Sequence, residues 1–241
     1  MQAWDKIPDT AKDADGAYYA DYTGIMSVGW NADKYGDINS LDDLLDPKFA
    51  GTVAVNGKPA EAGAAFNGYL MANQLAGGDI NNLQPGLDFF KKLKEAGNLN
   101  TIDVTNGTID SGQTGVVFDW TYNQASYKKE LKDKGVNWKY KTFPKAQVVS
   151  YYNQAINKDA PHPAAARLWE EYLYTADAQN LWFKGGANPV LLDSMKEDGT
   201  VDQATLKDAI TIEGEPVSYT NDDSTRITEW LQNNWDKTIG N

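Results

Sequence analysis

The sequence predicts an α/β fold, in which short buried strands alternate with amphipathic helices. Two apolar runs, residues 51–55 and 116–118, have the length and β-branched content of buried strands, and a helical pattern follows each. Residues 85–96 place large apolar side chains on one helical face and lysines on the other. With 41% hydrophobic residues in 241 positions, the chain can fill one large domain or two small ones.

Start and stop signals define the elements of the first half. Ser40 is a suitable N-cap for a short helix that Pro47 and Gly51 end. Gly77 and Gly78 end the next, longer helix. The predicted elements are, in order, a strand at 18–28, a helix at 41–46, a strand at 51–55, helices at 61–76, 85–96 and 105–111, and a strand at 116–118.

The same signals continue in the second half. Pro163 suits the first turn of a helix, because its missing N–H has no intrahelical partner there. Thr175 is a suitable N-cap for the following helix, and Gly185 with Gly186 ends it. The predicted elements are a helix that begins at 119–123 and reaches 134, strands at 138–142 and 148–156, helices that begin at 163 and 175, and a helix at 222–239.

The helix that begins at Pro163 has two distinct sets of side chains. Its apolar residues recur at helical spacing, which predicts one apolar face. These residues are Leu168, Trp169, Tyr172 and Leu173. The charged residues Arg167, Glu170 and Glu171 are expected on the opposite side.

The charge balance restricts the partners of the chain. It has 22 basic and 34 acidic residues and a net charge of −12. Such a chain is expected to repel nucleic-acid phosphates and anionic lipid surfaces, so no nucleic-acid partner is predicted.

The reactive side chains are few. There is no cysteine, which excludes disulfides, thiolate metal sites and cysteine nucleophiles. The one histidine, His162, lies between Pro161 and Pro163 and is expected in a surface turn. No catalytic residue, metal site or cofactor is therefore predicted.

Three segments, in this order, resemble a known family. They are Gly29-Trp-Asn-Ala-Asp33 with the following residues 40–55, Val116-Val-Phe-Asp-Trp120, and residues 155–190. Their combination resembles the extracellular (periplasmic) solute-binding proteins of ABC importers, with the type 2 periplasmic-binding-protein fold. The resemblance is to the branch that includes ferric-ion, thiamine, phosphonate and polyamine binders.

The resemblance implies one complete lobe plus the C-terminal part of the other. Residues 1–24 would be the end of lobe 1 and the approach to the hinge, residues 25–150 lobe 2, and residues 151–241 the return segment and C-terminal helices of lobe 1. The leading strands of lobe 1 have no counterpart. The apolar surface they would leave is expected to be covered by another chain, and self-association is one route.

A first group of candidate ligand-binding residues lies in the loop after the strand at 51–55. Asn56, Gly57, Glu61 and Gly63 belong to a strand–loop–helix junction. Free N–H groups at a helix start bind anions, and glycine allows close approach of the backbone. The alternative is an ordinary turn and cap. The loop lacks the Gly-Lys-Ser/Thr ending of a P-loop.

A second group lies where the strand at 116–118 gives way to a helix, and comprises Asp119, Trp120, Tyr122 and Asn123. A carboxylate beside a tryptophan face suits an ammonium group. The alternative is a capping Asp119 with a packed Trp120. Ferric-ion binders of the resembled family place paired tyrosines near this point, and Trp120 with Thr121 disfavours iron.

A third group lies in the strand at 148–156. Tyr151 and Tyr152 face opposite sides of an alternating strand, so one is expected to line the ligand cleft and the other to pack. Polyamine binders of the resembled family have a carboxylate in this strand. Tyr152 in that place weakens the polyamine interpretation.

The resemblance predicts a non-enzymatic, periplasmic or extracellular protein that captures a small polar ligand between two lobes and delivers it to a membrane permease. A lipid anchor would place the full-length protein at the membrane. An amine or cation is slightly favoured, because Asp119 and Glu61 would face Trp120 and Tyr151. A phosphonate or other anion at the helix start follows. The alternatives are a carboxylate-dependent glycoside hydrolase and a non-transport interaction domain with the same lobe fold.

Overall fold

The structure, a computed structural model, describes residues 1–212 and 215–240. Its strands are β1 (Tyr19–Asn31), β2 (Val53–Val55), β3 (Leu99–Asn100), β4 (Val116–Trp120), β5 (Trp138–Lys141), β6 (Val149–Gln154) and β7 (Asn188–Pro189). Its helices are α1 (Ala32–Tyr35), α2 (Gly63–Leu75), α3 (Gln84–Glu95), α4 (Asn106–Asp110), α5 (Thr121–Lys132), α6 (Pro163–Leu173), α7 (Ala176–Lys184), α8 (Leu192–Glu197), α9 (Gln203–Asp208) and α10 (Asn221–Thr238).

The α/β class predicted from the sequence is confirmed. One predicted helix has a different form. Within residues 41–46 only Asp42–Leu45 is helical, as a short 3-10 helix, and a second 3-10 helix, Pro47–Phe49, follows. Asp46 separates them in an extended conformation and caps the second through the backbone N–H of Lys48. The residue before a proline is disfavoured in helical geometry, which explains the break.

The described chain forms two compact units. Unit 1 comprises Met1–Ile25 and Ser150–Thr211, and unit 2 comprises Met26–Val149 with the described part of Ile212–Asn241. The first two divisions fall close to the boundaries expected at 24/25 and 150/151. The assignment of these units to the lobes of a binding protein stays a prediction.

Unit 2 is organised around a mixed sheet with the order β3-β2-β4-β1-β5. β2 runs parallel to both β3 and β4, whereas β4 and β5 run antiparallel to β1. Val55 at the end of β2 lies opposite Phe118 in β4. The carboxyl ends of β2 and β4 therefore meet at the same edge of the sheet.

Strand β4 is buried along its whole length. Val116 and Phe118 belong to the larger hydrophobic cluster of unit 2, whereas Val117 packs with Ile109, Leu131 and Trp138. Side chains alternate between the two faces of a strand, so each face of β4 meets a different layer. Coverage on both faces explains the continuous apolar run in the sequence.

Helix α10 packs in unit 2. Ile227, Leu231 and Trp235 are buried in its larger cluster, and the Trp235 ring lies 5.1 Å from that of Phe90 and 6.1 Å from that of Tyr69. The sequence interpretation grouped these residues with the return segment of lobe 1. The structure instead places them against α3, because their apolar stripe fits the aromatic surface there.

Unit 1 includes the first half of β1, which pairs with β6 and β7. The hydroxyl of Thr23 also donates a 2.7 Å hydrogen bond to the carbonyl of Ser150. The buried core of the unit contains Ile7, Ala11, Ala20, Leu173, Tyr174, Phe183, Val190, Leu191, Leu192, Met195 and Val201.

The predicted grouping of side chains on α6 is wrong, because Leu173 lies on the buried side together with Glu170. Leu173 and Glu170 are buried, whereas Leu168, Trp169 and Tyr172 have exposed fractions of 72%, 58% and 45%. Glu170 can be buried because its carboxylate accepts a hydrogen bond from the Tyr19 hydroxyl. Leu181 on α7 is also 62% exposed. We call Leu168, Trp169, Tyr172 and Leu181 the apolar surface of unit 1.

None of the helices within residues 1–212 and 215–240 is both long and apolar enough to cross a membrane.

A buried carboxylate in β1 makes the stability of the protein depend on pH. Asp21 is fully buried, and its oxygens accept hydrogen bonds from Gln179 at 2.8 Å and Gln154 at 3.3 Å. Burial raises the pKa of Asp21 from 3.8 to about 6, although these hydrogen bonds oppose the shift. The folded state thus retains a proton that the unfolded chain has released. The resulting stability is present below about pH 4 and is lost as the pH rises through about 6.

We predict that Asp21→Asn stabilises the protein at pH 7.5 by about 1–3 kcal/mol, because a neutral amide avoids burying a charge. Urea unfolding at pH 5 and pH 7.5 measures the difference, which should shrink at the lower pH. Asp177→Asn, on an exposed carboxylate of α7, is the matched control and should change little. Equal pH dependence in Asp21→Asn and the wild type would contradict the prediction.

Candidate functional site

The candidate site lies at the edge of unit 2 where β2 and β4 end. After β2 the chain forms the loop of residues 56–62 and enters α2, and after β4 it enters α5 directly. Asn56 follows β2, and its backbone N–H donates to the carbonyl of Phe118 at 3.3 Å. Parallel pairing therefore brings two predicted groups of site residues together, as ligand sites of α/β sheets require.

Asp119 is the centre of this edge. One carboxylate oxygen, Oδ1, accepts hydrogen bonds from the backbone N–H of Trp120 at 2.7 Å and the amide of Asn123 at 2.9 Å. The other, Oδ2, accepts from the amide of Asn56 at 2.8 Å and the hydroxyl of Tyr127 at 2.9 Å. The residue is fully buried. Both oxygens are thus engaged within the protein.

The electrostatics of the network follow from this burial. Desolvation raises the pKa of Asp119, and the hydrogen bonds from Asn123, Trp120, Tyr127 and Asn56 oppose the rise. Burial and the nearby Asp119 also raise the pKa of the Tyr127 hydroxyl, which therefore remains a donor. Asp119 accordingly orients Asn56, Asn123 and Tyr127, and it has little remaining capacity to contact a solute.

Two residues of this network were not among the sequence candidates. Tyr127 binds the Asp119 carboxylate, and the Ser27 hydroxyl donates to the Asp119 carbonyl at 2.7 Å. Asn123 and Tyr127 are four residues apart on α5, so their side chains share a helical face. That spacing could have identified Tyr127. Nothing local to β1 indicates Ser27, which meets Asp119 through strand pairing.

Trp120 and Tyr122 form an aromatic pair beside the network. Their ring centroids are 6.3 Å apart and their planes differ by 16°. Trp120 is only 4% exposed and belongs to the larger hydrophobic cluster, whereas Tyr122 is partly buried. The structure matches the alternative of a packed Trp120, so Tyr122 is the more accessible ring of the pair.

The loop before α2 combines a required glycine with a helix start that lacks a side-chain cap. Gly57 has φ of +98°, and an added Cβ would lie 2.5 Å from that of Ala62. Ala62 is the N-cap of α2 and has no side chain able to accept the first-turn N–H groups. Gly63 begins the helix beside open space. Glu61 is exposed and makes no hydrogen bond to the Asp119 network.

Tyr151 and Tyr152 belong to unit 1, and their environments differ as alternation predicts. Tyr151 is partly buried against the core of that unit. Tyr152 is 39% exposed and stacks on Tyr22, with 4.8 Å between ring centroids. Tyr22 in turn stacks on Trp182 at 4.4 Å. The predicted role of one of these tyrosines in ligand binding stays a prediction.

No group of three or more His, Cys, Asp or Glu residues within the described ranges is arranged to hold a metal ion.

Comparison with known proteins gives one family and one fold. The profile of the family described as bacterial extracellular solute-binding protein matches residues 1–209. No curated protein sequence matches at a significant level. An extracellular solute-binding protein from Bordetella parapertussis has a similar structure, with a TM-score of 0.74 and 13% identity, over 99% of this chain and 73% of that chain.

Two further similar structures have different solutes in their names. AfuA from Actinobacillus pleuropneumoniae, a periplasmic binding protein with fructose-6-phosphate bound, has a TM-score of 0.69 and 19% identity over 98% of this chain and 73% of its own. The spermidine/putrescine-binding protein PotD from Streptococcus pneumoniae has a TM-score of 0.68 and 13% identity over 97% and 74%. At these identities the likeness establishes the type 2 periplasmic-binding fold and leaves the solute open.

We predict that Asp119→Ala lowers the free energy of unfolding by about 3 kcal/mol or more, because one buried and three partly buried donors lose their acceptor. Asp119→Asn keeps the shape and one acceptor oxygen, so its loss should be nearer to about 1 kcal/mol. Urea unfolding followed by tryptophan fluorescence measures both. Asp133→Ala, at the exposed end of α5, is the control. A loss for Asp119→Ala no larger than that of the control would show that the network is not structural.

Proposed function

Because the chain belongs to the family of bacterial extracellular solute-binding proteins, we propose that it binds a small solute through a phosphate or carboxylate group at the start of α2. Family and fold support a solute-binding component of an ABC transporter, which is an extracellular or periplasmic role. Delivery of the solute to a membrane permease follows from that role.

The observation that supports an anionic solute is the helix start of α2. Its N-cap, Ala62, supplies no side-chain hydrogen bond, so first-turn N–H groups remain for an external acceptor. The positive end of the helix dipole lies at the same place and favours negative charge. Gly63 leaves open space beside these groups, and the preceding loop includes the exposed Lys58.

The amine interpretation rested on Asp119 and Glu61, and both are less suited to it than the sequence suggested. The Asp119 carboxylate is buried and accepts its hydrogen bonds from the protein. Glu61 is exposed and stands outside the network. An ammonium group would need a carboxylate with free acceptor capacity, so the anionic solute is the better candidate.

The fold itself supports more than one solute chemistry. AfuA has fructose-6-phosphate bound and PotD is named for spermidine and putrescine, so the choice of an anionic solute rests on the helix start of α2. We propose binding and release without a catalytic step, in contrast to a glycoside hydrolase, because the network around Asp119 holds its one carboxylate away from solvent. A lipid anchor on the full-length protein is a further part of the proposal.

We also propose that the apolar surface of unit 1 is covered by a second copy of the chain. Leu168, Trp169, Tyr172 and Leu181 are large and between 45% and 72% exposed, an arrangement typical of contact surfaces. The centroids of the Trp169 and Tyr172 rings are 5.7 Å apart, so they form a continuous apolar area.

We predict that the wild type forms concentration-dependent dimers and that Trp169→Glu is monomeric, because a charge opposes burial of this surface. Sedimentation velocity over a hundredfold concentration range measures the change. Asp177→Lys, an exposed position on α7, is a control for altered surface charge. A monomeric wild type would refute self-association.

The solute proposal is tested by removing one N–H from the start of α2. Gly63→Pro deletes that donor at a position where proline is tolerated, and Ala62 already has the extended conformation that precedes a proline. Gly63→Ala, whose Cβ would enter open space, keeps the donor and is the matched control. Both variants should have wild-type stability.

We predict saturable binding of at least one member of a panel of sugar phosphates, phosphonates and inorganic phosphate, measured by calorimetry. Gly63→Pro should lower the affinity for the anion about tenfold or more, because one charge-assisted hydrogen bond is lost. Gly63→Ala should leave the affinity unchanged. Binding of putrescine or spermidine, with no binding of any anion, would overturn the proposal. So would equal affinity in the two variants.

A further inference from the structure

Helix α5 has its basic side chains on one side and its acidic side chain on another. Lys128, Lys129 and Lys132 are exposed, and none forms an ion pair with a described residue. With 3.6 residues per turn, the three fall within an arc of about 100°, and Glu130 lies about 100° beyond it. We call these three residues the lysine face of α5.

The acidic residue of the helix is engaged elsewhere. The Glu130 carboxylate accepts hydrogen bonds from Ser126 at 2.8 Å and from the amide of Asn106. Glu130 is therefore held away from the lysine face, and the exposed Asp133 at the C-cap, four residues after Lys129, forms no ion pair with the described lysines. Leu131 and Gln124 are buried on a different side of the helix, and Thr121, two turns before the lysines, is buried within the same arc, so only the C-terminal half of this arc is exposed.

The segment around α5 differs in charge from the rest of the chain. Residues 121–147 contain seven of the 22 basic residues but only two of the 34 acidic ones. Lys134 and Lys139 pair with Asp110 and Asp37 in exposed ion pairs at 2.8 and 3.3 Å. Exposed pairs of this kind are weak and exchange readily with other anions. This segment is therefore positively charged, although the chain has a net charge of −12.

We propose that the lysine face of α5 is a docking surface for the anionic headgroups of a phospholipid bilayer. Each lysine near such a surface contributes about 1 kcal/mol, which corresponds to about fivefold in affinity. Three unpaired lysines therefore raise the affinity by about a hundredfold. The protein belongs to an extracellular family that works beside a membrane, so a bilayer is the partner that fits the charge.

The net charge does not prevent this contact at moderate salt. The Debye length is about 10 Å at 0.1 M, so acidic groups farther from the bilayer than that are largely screened. The lysine face then acts locally, because the more distant acidic groups contribute little to the contact. Net charge alone predicts that anionic lipid repels the chain. The local charge of the lysine face instead predicts binding through that face.

The lysine face is separate from the proposed solute site. Tyr122 and Asn123 lie in the first turn of α5, and the three lysines lie one to three turns farther along the helix. Substitution of the lysines should therefore leave solute affinity unchanged. A variant that loses lipid binding but keeps solute binding, or the reverse, therefore tests one proposal without affecting the other.

A simpler account of the lysines is helix-dipole compensation. Lys129 and Lys132 lie in the last turn of α5, where positive charge stabilises a helix. That account predicts no affinity for lipid and a loss of stability on substitution. It does not explain why Lys128, before the last turn, shares the same arc.

The test is vesicle flotation of the full chain at 0.1 M salt. Vesicles of phosphatidylcholine with 30% phosphatidylglycerol should carry the wild type, and pure phosphatidylcholine vesicles should not. The binding should be lost at 0.5 M salt. The triple variant Lys128→Gln, Lys129→Gln, Lys132→Gln should bind about a hundredfold more weakly, with a thermal midpoint that shows it is folded.

The matched control removes three exposed lysines elsewhere that form no ion pair with a described residue: Lys92→Gln, Lys207→Gln, Lys237→Gln. Both triple variants have the same net charge, so a difference between them isolates the position of the lysines. Equal binding in both, or no binding of the wild type to the anionic vesicles, overturns the proposal. Retention of the wild type on immobilised polyglutamate but not on the vesicles would also overturn it, in favour of an acidic protein partner.

Discussion

A carboxylate that is sealed from water must be given hydrogen-bond donors, and the edge of unit 2 is built to supply them to Asp119. Asn56 comes from the loop after β2, Asn123 and Tyr127 from α5, and the backbone N–H from Trp120. One buried group thereby ties the loop after β2 to the start of α5. The loop geometry before α2, and with it the candidate anion site, depends on this constraint.

Much of the fold could be predicted from the sequence because its signals are local. The apolar runs of β2 and β4 and the amphipathic pattern of α3 depend only on neighbouring residues, and all three elements form. The residues that form the buried side of α6 could not be predicted. Glu170 is buried because Tyr19, from the other end of unit 1, donates to it. A pattern of apolar residues shows that a face exists, but the partner decides which face is covered.

The candidate site was also predictable only in part. The residue types and their common edge were predictable, because strands that end side by side bring their loops together. The roles were not. Asp119 and Trp120 had the composition of an ammonium site, yet burial made one an organiser of its neighbours and the other a core residue. Ser27 was missed because its contact depends on strand register, which no single segment specifies.

The packing of α10 has a consequence for how the chain is made. The core of unit 2 needs Ile227, Leu231 and Trp235, but the residues Ser150–Thr211 of unit 1 precede them in the chain. During synthesis, a nascent chain that ends anywhere before α10 leaves the rings of Phe90 and Tyr69 without the Trp235 ring that packs against both. Such long-range contacts delay folding. Because this core is completed late, the nascent chain would stay unfolded for longer. An unfolded chain is the form that can be translocated across a membrane.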